Sequence, residues 1–182
     1  MPLLFLLLSP TFGMHQYTAD LANRLAEAGE EVYLLTTAGY PADRYAPAVR
    51  AHTPVCTVDT GLSWRGLRPA PLREMLRVIE AVQPRLAHFT GPHLWNLSLL
   101  RALRRRGLST VHTLHDLAPH PGSPYGPLLR VWNRRVLRDA DEVVVHSRAA
   151  LTQARALAGG GERVNYIPLL LGCWGHALSP AG

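Results

Sequence analysis

Two short apolar runs, Leu86-Ala87-His88-Phe89 and Thr110-Val111-His112-Thr113-Leu114, constrain the fold of this chain more than any other feature. Each opens directly into a polar loop that carries an imidazole, Thr90-Gly91-Pro92-His93 after the first and His115-Asp116 after the second. Between them, Leu94 to Arg106 repeats its apolar positions at helical spacing, and Gly107 stops it. Strand, loop, helix, strand, loop is the parallel crossover unit. In sheets built from it, ligands gather beyond the carboxyl ends of the strands.

The same alternation extends along the chain. Leu3 to Leu8 reads as a first buried strand, followed by a loop through Gly13 and a helix from about His15 to Ala28. Tyr17, Leu21, Leu25 and Ala28 form the apolar face of that helix, and Gly29 ends it. Val32 to Thr36 is the second strand. Ala38 to Ala70 is Pro- and Gly-rich and irregular, with one strand expected near Val55 to Val58. A helix over Pro71 to Val82 stops at Pro84. After His115 a Pro/Gly-rich loop leads to a helix over Pro127 to Leu137, then to a strand over Glu142 to Val145. Ser147 is placed to cap the next helix, Gly159 to end it, and Arg163 to Ile167 reads as a last strand. The order implies an α/β three-layer sandwich with a doubly wound, mostly parallel, Rossmann-like sheet. One domain over residues 1–168 is expected, with 169–182 a tail or the start of an interdomain linker.

Composition narrows the partners. A chain 47% hydrophobic and 18% charged can bury a core, and all 19 of its basic residues are arginine, for a net charge of +6. The basic excess gathers in Arg101, Arg104, Arg105, Arg106 and in Arg130, Arg134, Arg135, Arg138. These are either solvated helix faces or a peripheral contact with an anionic membrane. Nucleic acid is not expected, because aromatic residues are sparse among them, Trp132 alone standing within the second cluster. Cys56 and Cys173 have no metal-ligand or redox spacing. Met1 to Pro10 lacks a basic start and a cleavage site, and no run approaches the ~18 apolar residues of a membrane span. A cytoplasmic location, in places peripheral to the inner membrane face, is the expectation.

Five segments carry a family resemblance: Ser9-Pro10-Thr11-Phe12-Gly13 with the helix end Leu21 to Gly29, Pro84-Arg85-Leu86-Ala87-His88, Thr113-Leu114-His115-Asp116, Ala140 to Ser147, and Arg163-Val164-Asn165-Tyr166-Ile167-Pro168. In this order they resemble the amino-terminal, acceptor-side domain of retaining GT-B glycosyltransferases of family 4. The chain departs from that pattern in three places. Gly13 stands alone where the family often has paired glycines, Thr90 takes the place of a second strand-end histidine, and Leu169-Leu170 replaces Asn-Gly. The resemblance implies transfer of a sugar from a nucleotide-diphosphate sugar to an unknown acceptor. It also implies that the donor is held by a second domain without which this half is inactive. A non-catalytic glycan- or protein-binding module on the same scaffold is the alternative.

The resemblance makes His115 the catalytic candidate, lying at the cleft against the transferred sugar or its acceptor. An imidazole near neutral pKa can donate to a hydroxyl or share a proton where a retaining transfer separates charge. Gly13, His93, Asp116 and Ser147 are candidate phosphate- or substrate-binding positions. His93 is the candidate to line the acceptor pocket, while Gly13, Asp116 and Ser147 also have a structural reading: a turn glycine, a turn-capping aspartate and a helix N-cap. His88 and His112 read as buried strand residues with one hydrogen bond each. No metal site and no cofactor are expected, and a dinucleotide fingerprint would need three spaced glycines where this loop has one.

Overall fold

In a computed structural model that describes residues 1–8, 12–55, 69–117, 126–160 and 162–169, strands and helices alternate throughout. They are β1 (Leu3–Leu7), α1 (Phe12–Glu27), β2 (Val32–Thr37), β3 (Arg50–Val55), α2 (Pro69–Val82), β4 (Leu86–Phe89), α3 (Leu94–Arg105), β5 (Ser109–Thr113), α4 (Gly126–Asp139), β6 (Glu142–Val145), α5 (Arg148–Ala158) and β7 (Val164–Tyr166). The seven strands form one sheet in the order β3-β2-β1-β4-β5-β6-β7, with every neighbouring pair parallel. The direction of winding reverses between β1 and β4, where a crevice opens at the carboxyl ends of such sheets.

Burial follows strand alternation. All five residues of β1 are buried, as a central parallel strand covered on both faces requires. Phe5 and Leu7 point to one face and pack with Ala19 and Ala22 of α1 and Leu34 of β2. Leu4 and Leu6 point to the other, against Met75 and Ile79 of α2 and Leu99, Leu100 and Leu103 of α3. Trp132 and Val136 of α4 and Ala154 of α5 extend this second core. So α1 covers one side of the sheet and α2 to α5 cover the other. That is the expected three-layer, doubly wound architecture.

Two elements differ from the sequence reading. Helix α1 begins at Phe12, about three residues early, and takes Gly13 into its first turn. Glycine lowers local helix propensity, so periodicity underrates this turn. The expected strand near Val55 lies earlier, at Arg50–Val55, paired to β2 with a register irregularity between Leu35 and Thr37. Its polar residues Arg50 and His52 mask it, as edge strands often do. Residues 56–58 of that expectation lie outside the described residues, as do the Pro119 to Pro124 loop and the 170–182 tail.

The caps behave as the residue types demand. The Ser147 hydroxyl accepts from Ala150 N–H at 3.0 Å, and Gly159 closes α5 in the left-handed region at φ 73°. Within the second core, His112 is wholly buried, stacked on Phe89 and edge-on to Trp132. It makes two hydrogen bonds rather than the one expected. Its Nδ1–H donates to the Thr113 carbonyl at 2.9 Å, and its Nε2 accepts from the Asn96 amide at 3.0 Å. The other Asn96 N–H reaches the Gly91 carbonyl at 2.8 Å, tying the loop after β4 to the core. Replacing Asn96 by Ala strands both acceptors. A loss of about 2–4 kcal/mol is expected, read as a lowered urea midpoint with an unchanged m-value.

Candidate functional site

The carboxyl ends of β4, β5 and β6 converge on α1, and two imidazoles meet a phenol there. His115 stands two residues beyond β5, half-buried, with its Nε2–H donating to the Thr90 carbonyl at 2.8 Å. A carbonyl only accepts, so this bond fixes the tautomer and leaves Nδ1 as the free acceptor. His146 follows β6 directly. Its Nδ1–H donates to the Ile167 carbonyl at 2.9 Å, while its Nε2 is enclosed without a hydrogen-bond partner among the described residues. The two rings lie 5.5 Å apart. Tyr17 of α1 stands edge-on to both, 5.4 Å from His115 and 5.1 Å from His146.

A buried polar chain supports this cluster from below. The Tyr17 hydroxyl meets the Thr113 hydroxyl at 3.2 Å, and Thr113 meets His88 Nε2 at 2.9 Å. Thr90 is anchored in turn. Its hydroxyl lies 2.7 Å from that of Thr18, which donates to the Met14 carbonyl. The Thr90 hydroxyl thus ties β4 to α1, while its backbone carbonyl aims His115.

Burial dominates the electrostatics. It pushes His88 down to about 4, with the neighbouring imidazoles of His115 and His146 adding to the effect. His115 is lowered as well, by burial first; the Thr90 carbonyl opposes the shift, His146 adds to it, and Asp116 opposes it. Tyr17 is raised by burial, so its phenol stays protonated. At neutral pH His88 and His115 are therefore uncharged, and the site offers hydroxyls and imidazole lone pairs.

The other sequence candidates are distributed around this centre. Asp116 is exposed at the mouth of a cleft lined by Met14, Pro92, Thr113, Leu114, His115, Leu129 and Trp132. Gly13 sits in the first turn of α1, and a Cβ there would meet nothing within 4 Å, so the backbone is open to an approaching group. His93 is turned inward as the N-cap of α3: Nδ1 accepts from Trp95 N–H at 3.2 Å and the ring packs on Trp95. Ser147 caps α5, beside His146 but engaged with its own helix. His115, Asp116 and Gly13 thus face the β1–β5 rim, whereas His93 and Ser147 have structural bonds. Among the described residues, no group of three His, Cys, Asp or Glu side chains has metal-holding geometry.

Tyr17 and His146 are members of the cluster that sequence reasoning passed over. Tyr17 fits the apolar stripe of α1, which hides its polar tip. The signal for His146 was its position immediately past a strand end, the same placement that drew attention to His115.

A family model described as a glycosyl transferase 4-like domain matches residues 12–169. The chain belongs to that family. No curated protein sequence matches the chain. Solved structures share its fold. Anabaena HepE in complex with UDP is 18% identical with a TM-score of 0.62, the match covering 92% of this chain and 44% of HepE. HepE with UDP and glucose gives 20% identity, a TM-score of 0.63 and the same coverage of 92% and 44%. A sucrose-phosphate synthase chain from Thermosynechococcus elongatus is 18% identical with a TM-score of 0.62, covering 92% of this chain and 88% of that one. The chain therefore spans less than half the length of HepE. Among the described residues no helix is long and apolar enough to cross a membrane.

The neutral buried imidazoles have a consequence for stability. His112 is pushed down to about 3 and His88 to about 4, both by burial first, against an unfolded value near 6.5. Below pH 6.5 the unfolded chain binds protons that the folded chain refuses, so stability falls as pH falls. The slope is about 1.4 kcal/mol per pH unit for each histidine, acting down to the two folded values. Urea titrations at pH 7, 6 and 5 should show this decline, and His88→Gln should make it shallower without abolishing it.

Proposed function

We propose that this chain is the acceptor-side half of a retaining GT-B glycosyltransferase that draws on a nucleotide-diphosphate sugar. It would work in the cytoplasm, with the donor held by a second domain across the crevice. The observation that carries this reading is the fixed tautomer of His115: its Nε2–H is committed to Thr90, so an unprotonated Nδ1 remains. Family membership and the UDP held by the HepE structures support it.

In this reading Nδ1 of His115 accepts a hydrogen bond from a hydroxyl of the transferred sugar. Neutrality matters, since an imidazolium would repel the positive charge that develops on the sugar carbon. Tyr17 and His146 pack against the ring and hold its plane, and Thr90 holds its height. The N–H groups of the first turn of α1, around Gly13, would approach the departing diphosphate, where a helix amino terminus carries about half a positive charge. Asp116, which lines the cleft, would contact an acceptor hydroxyl. His93 and Ser147 would contribute through the loops and helices they cap.

The chain alone should neither hydrolyse nor transfer from UDP-glucose; turnover by the purified chain would defeat the half-enzyme reading. Joined to a donor-binding domain that restores activity, His115→Ala should lower kcat by roughly 10²-fold or more. A change confined to ligand affinity, with no activity to lose, would instead support the binding-module alternative.

A further inference from the structure

The net charge of this protein resides on one surface. Helices α3 and α4 pack side by side over the same face of the sheet. Between them they carry Arg101, Arg104, Arg105, Arg130, Arg134, Arg135 and Arg138, all exposed, and a single acid, Asp139. Seven positive charges against one negative give +6, equal to the net charge of the whole chain. The remaining twelve arginines and twelve acids cancel.

Neutralisation within the surface is slight. Arg101 and Arg138 converge on the buried Asp139 carboxylate, at 3.0 and 2.8 Å, which holds its pKa below the ordinary value. Arg104, Arg105, Arg130, Arg134 and Arg135 have no acidic partner among the described residues. Apolar side chains stand in the same stripe. Leu128 is 47% exposed and Val131 is 53% exposed, one helical turn apart, with Arg135 and Arg138 following on that side. The opposite side of α4 is buried through Trp132, Asn133, Val136 and Leu137.

We propose that the outer face of α3 and α4 docks on the surface of an anionic lipid bilayer, with Leu128 and Val131 entering the headgroup layer. Charge complementarity selects an extended anionic surface. The exposed aliphatic pair selects a bilayer over a polynucleotide, which would call for exposed aromatic side chains among the arginines, where Trp132 is buried. Leu129 and Trp132 of α4 line the cleft beside His115, so docking sets the cleft about one helix diameter, ~10 Å, from the headgroups. The proposal stands on charge and exposure and does not depend on the transferase reading.

The test is sedimentation of the full chain with phosphatidylglycerol–phosphatidylcholine vesicles at 50 and 300 mM NaCl. Pelleting is expected at low salt with these vesicles, weakening steeply at high salt, and not with phosphatidylcholine alone. The triple variant Arg130→Gln/Arg134→Gln/Arg135→Gln should lower partitioning by roughly 100-fold. Leu128→Ser/Val131→Ser should lower it by about 10-fold and leave the salt dependence in place. Arg24→Gln/Arg73→Gln/Arg148→Gln removes the same charge from α1, α2 and α5, outside the docking helices, and should change it less than about 3-fold. Absence of pelleting, equal losses in both arginine variants, or binding to poly(U) RNA without binding to vesicles would each overturn the proposal.

Discussion

Parallel pairing of every strand is the constraint on which the site depends. It sends all the carboxyl ends to one rim, so residues distant in the sequence reach a common place without further design. Thr90 after β4, His115 after β5 and His146 after β6 occupy that rim because each follows its strand within two residues. The reversal of winding beside β1 then brings the amino-terminal turn of α1, with Tyr17 one turn further on, to the same spot.

The decisive contact within that frame is the bond from His115 Nε2 to the Thr90 carbonyl. A backbone acceptor cannot exchange roles with a donor, so it settles which imidazole nitrogen is free. Burial then keeps the ring neutral, and His88, reached through the Tyr17–Thr113 hydroxyls, is neutral for the same reason. The result is a site rich in uncharged acceptors, in contrast with the arginine surface of α3 and α4. The molecule separates polar recognition at the rim from long-range attraction on the helical layer. Helix α4 joins them, with Trp132 turned toward the cleft and Arg134 and Arg135 turned outward.

Several features were legible before any coordinates. Leu86–Phe89 and Glu142–Val145 appear as strands with the ends read from sequence, because a short apolar run bounded by turn residues leaves little freedom. Ser147 and Gly159 mark the ends of α5 for local reasons: a hydroxyl that accepts from the third residue on, and a backbone that takes positive φ. The start of α1 and the position of β3 were less legible. Phe12 is helical although Gly13 beside it has weak helix preference, and Arg50–Val55 is a strand through its pairing with β2.

By itself the sequence determined the α/β alternation, the placing of His115 at a strand end and the family, since these depend on local pattern and chain order. Tertiary structure decided the rest. The pairing of His115 with His146 spans 31 positions, and Tyr17 joins them from 98 and 129 positions away, separations that no local periodicity records. Only folding showed that His93 is occupied as a helix cap and that His112 has both nitrogens bonded. Whether an imidazole is structural or available depends on which of its two nitrogens finds a partner, and partners are assigned by the fold.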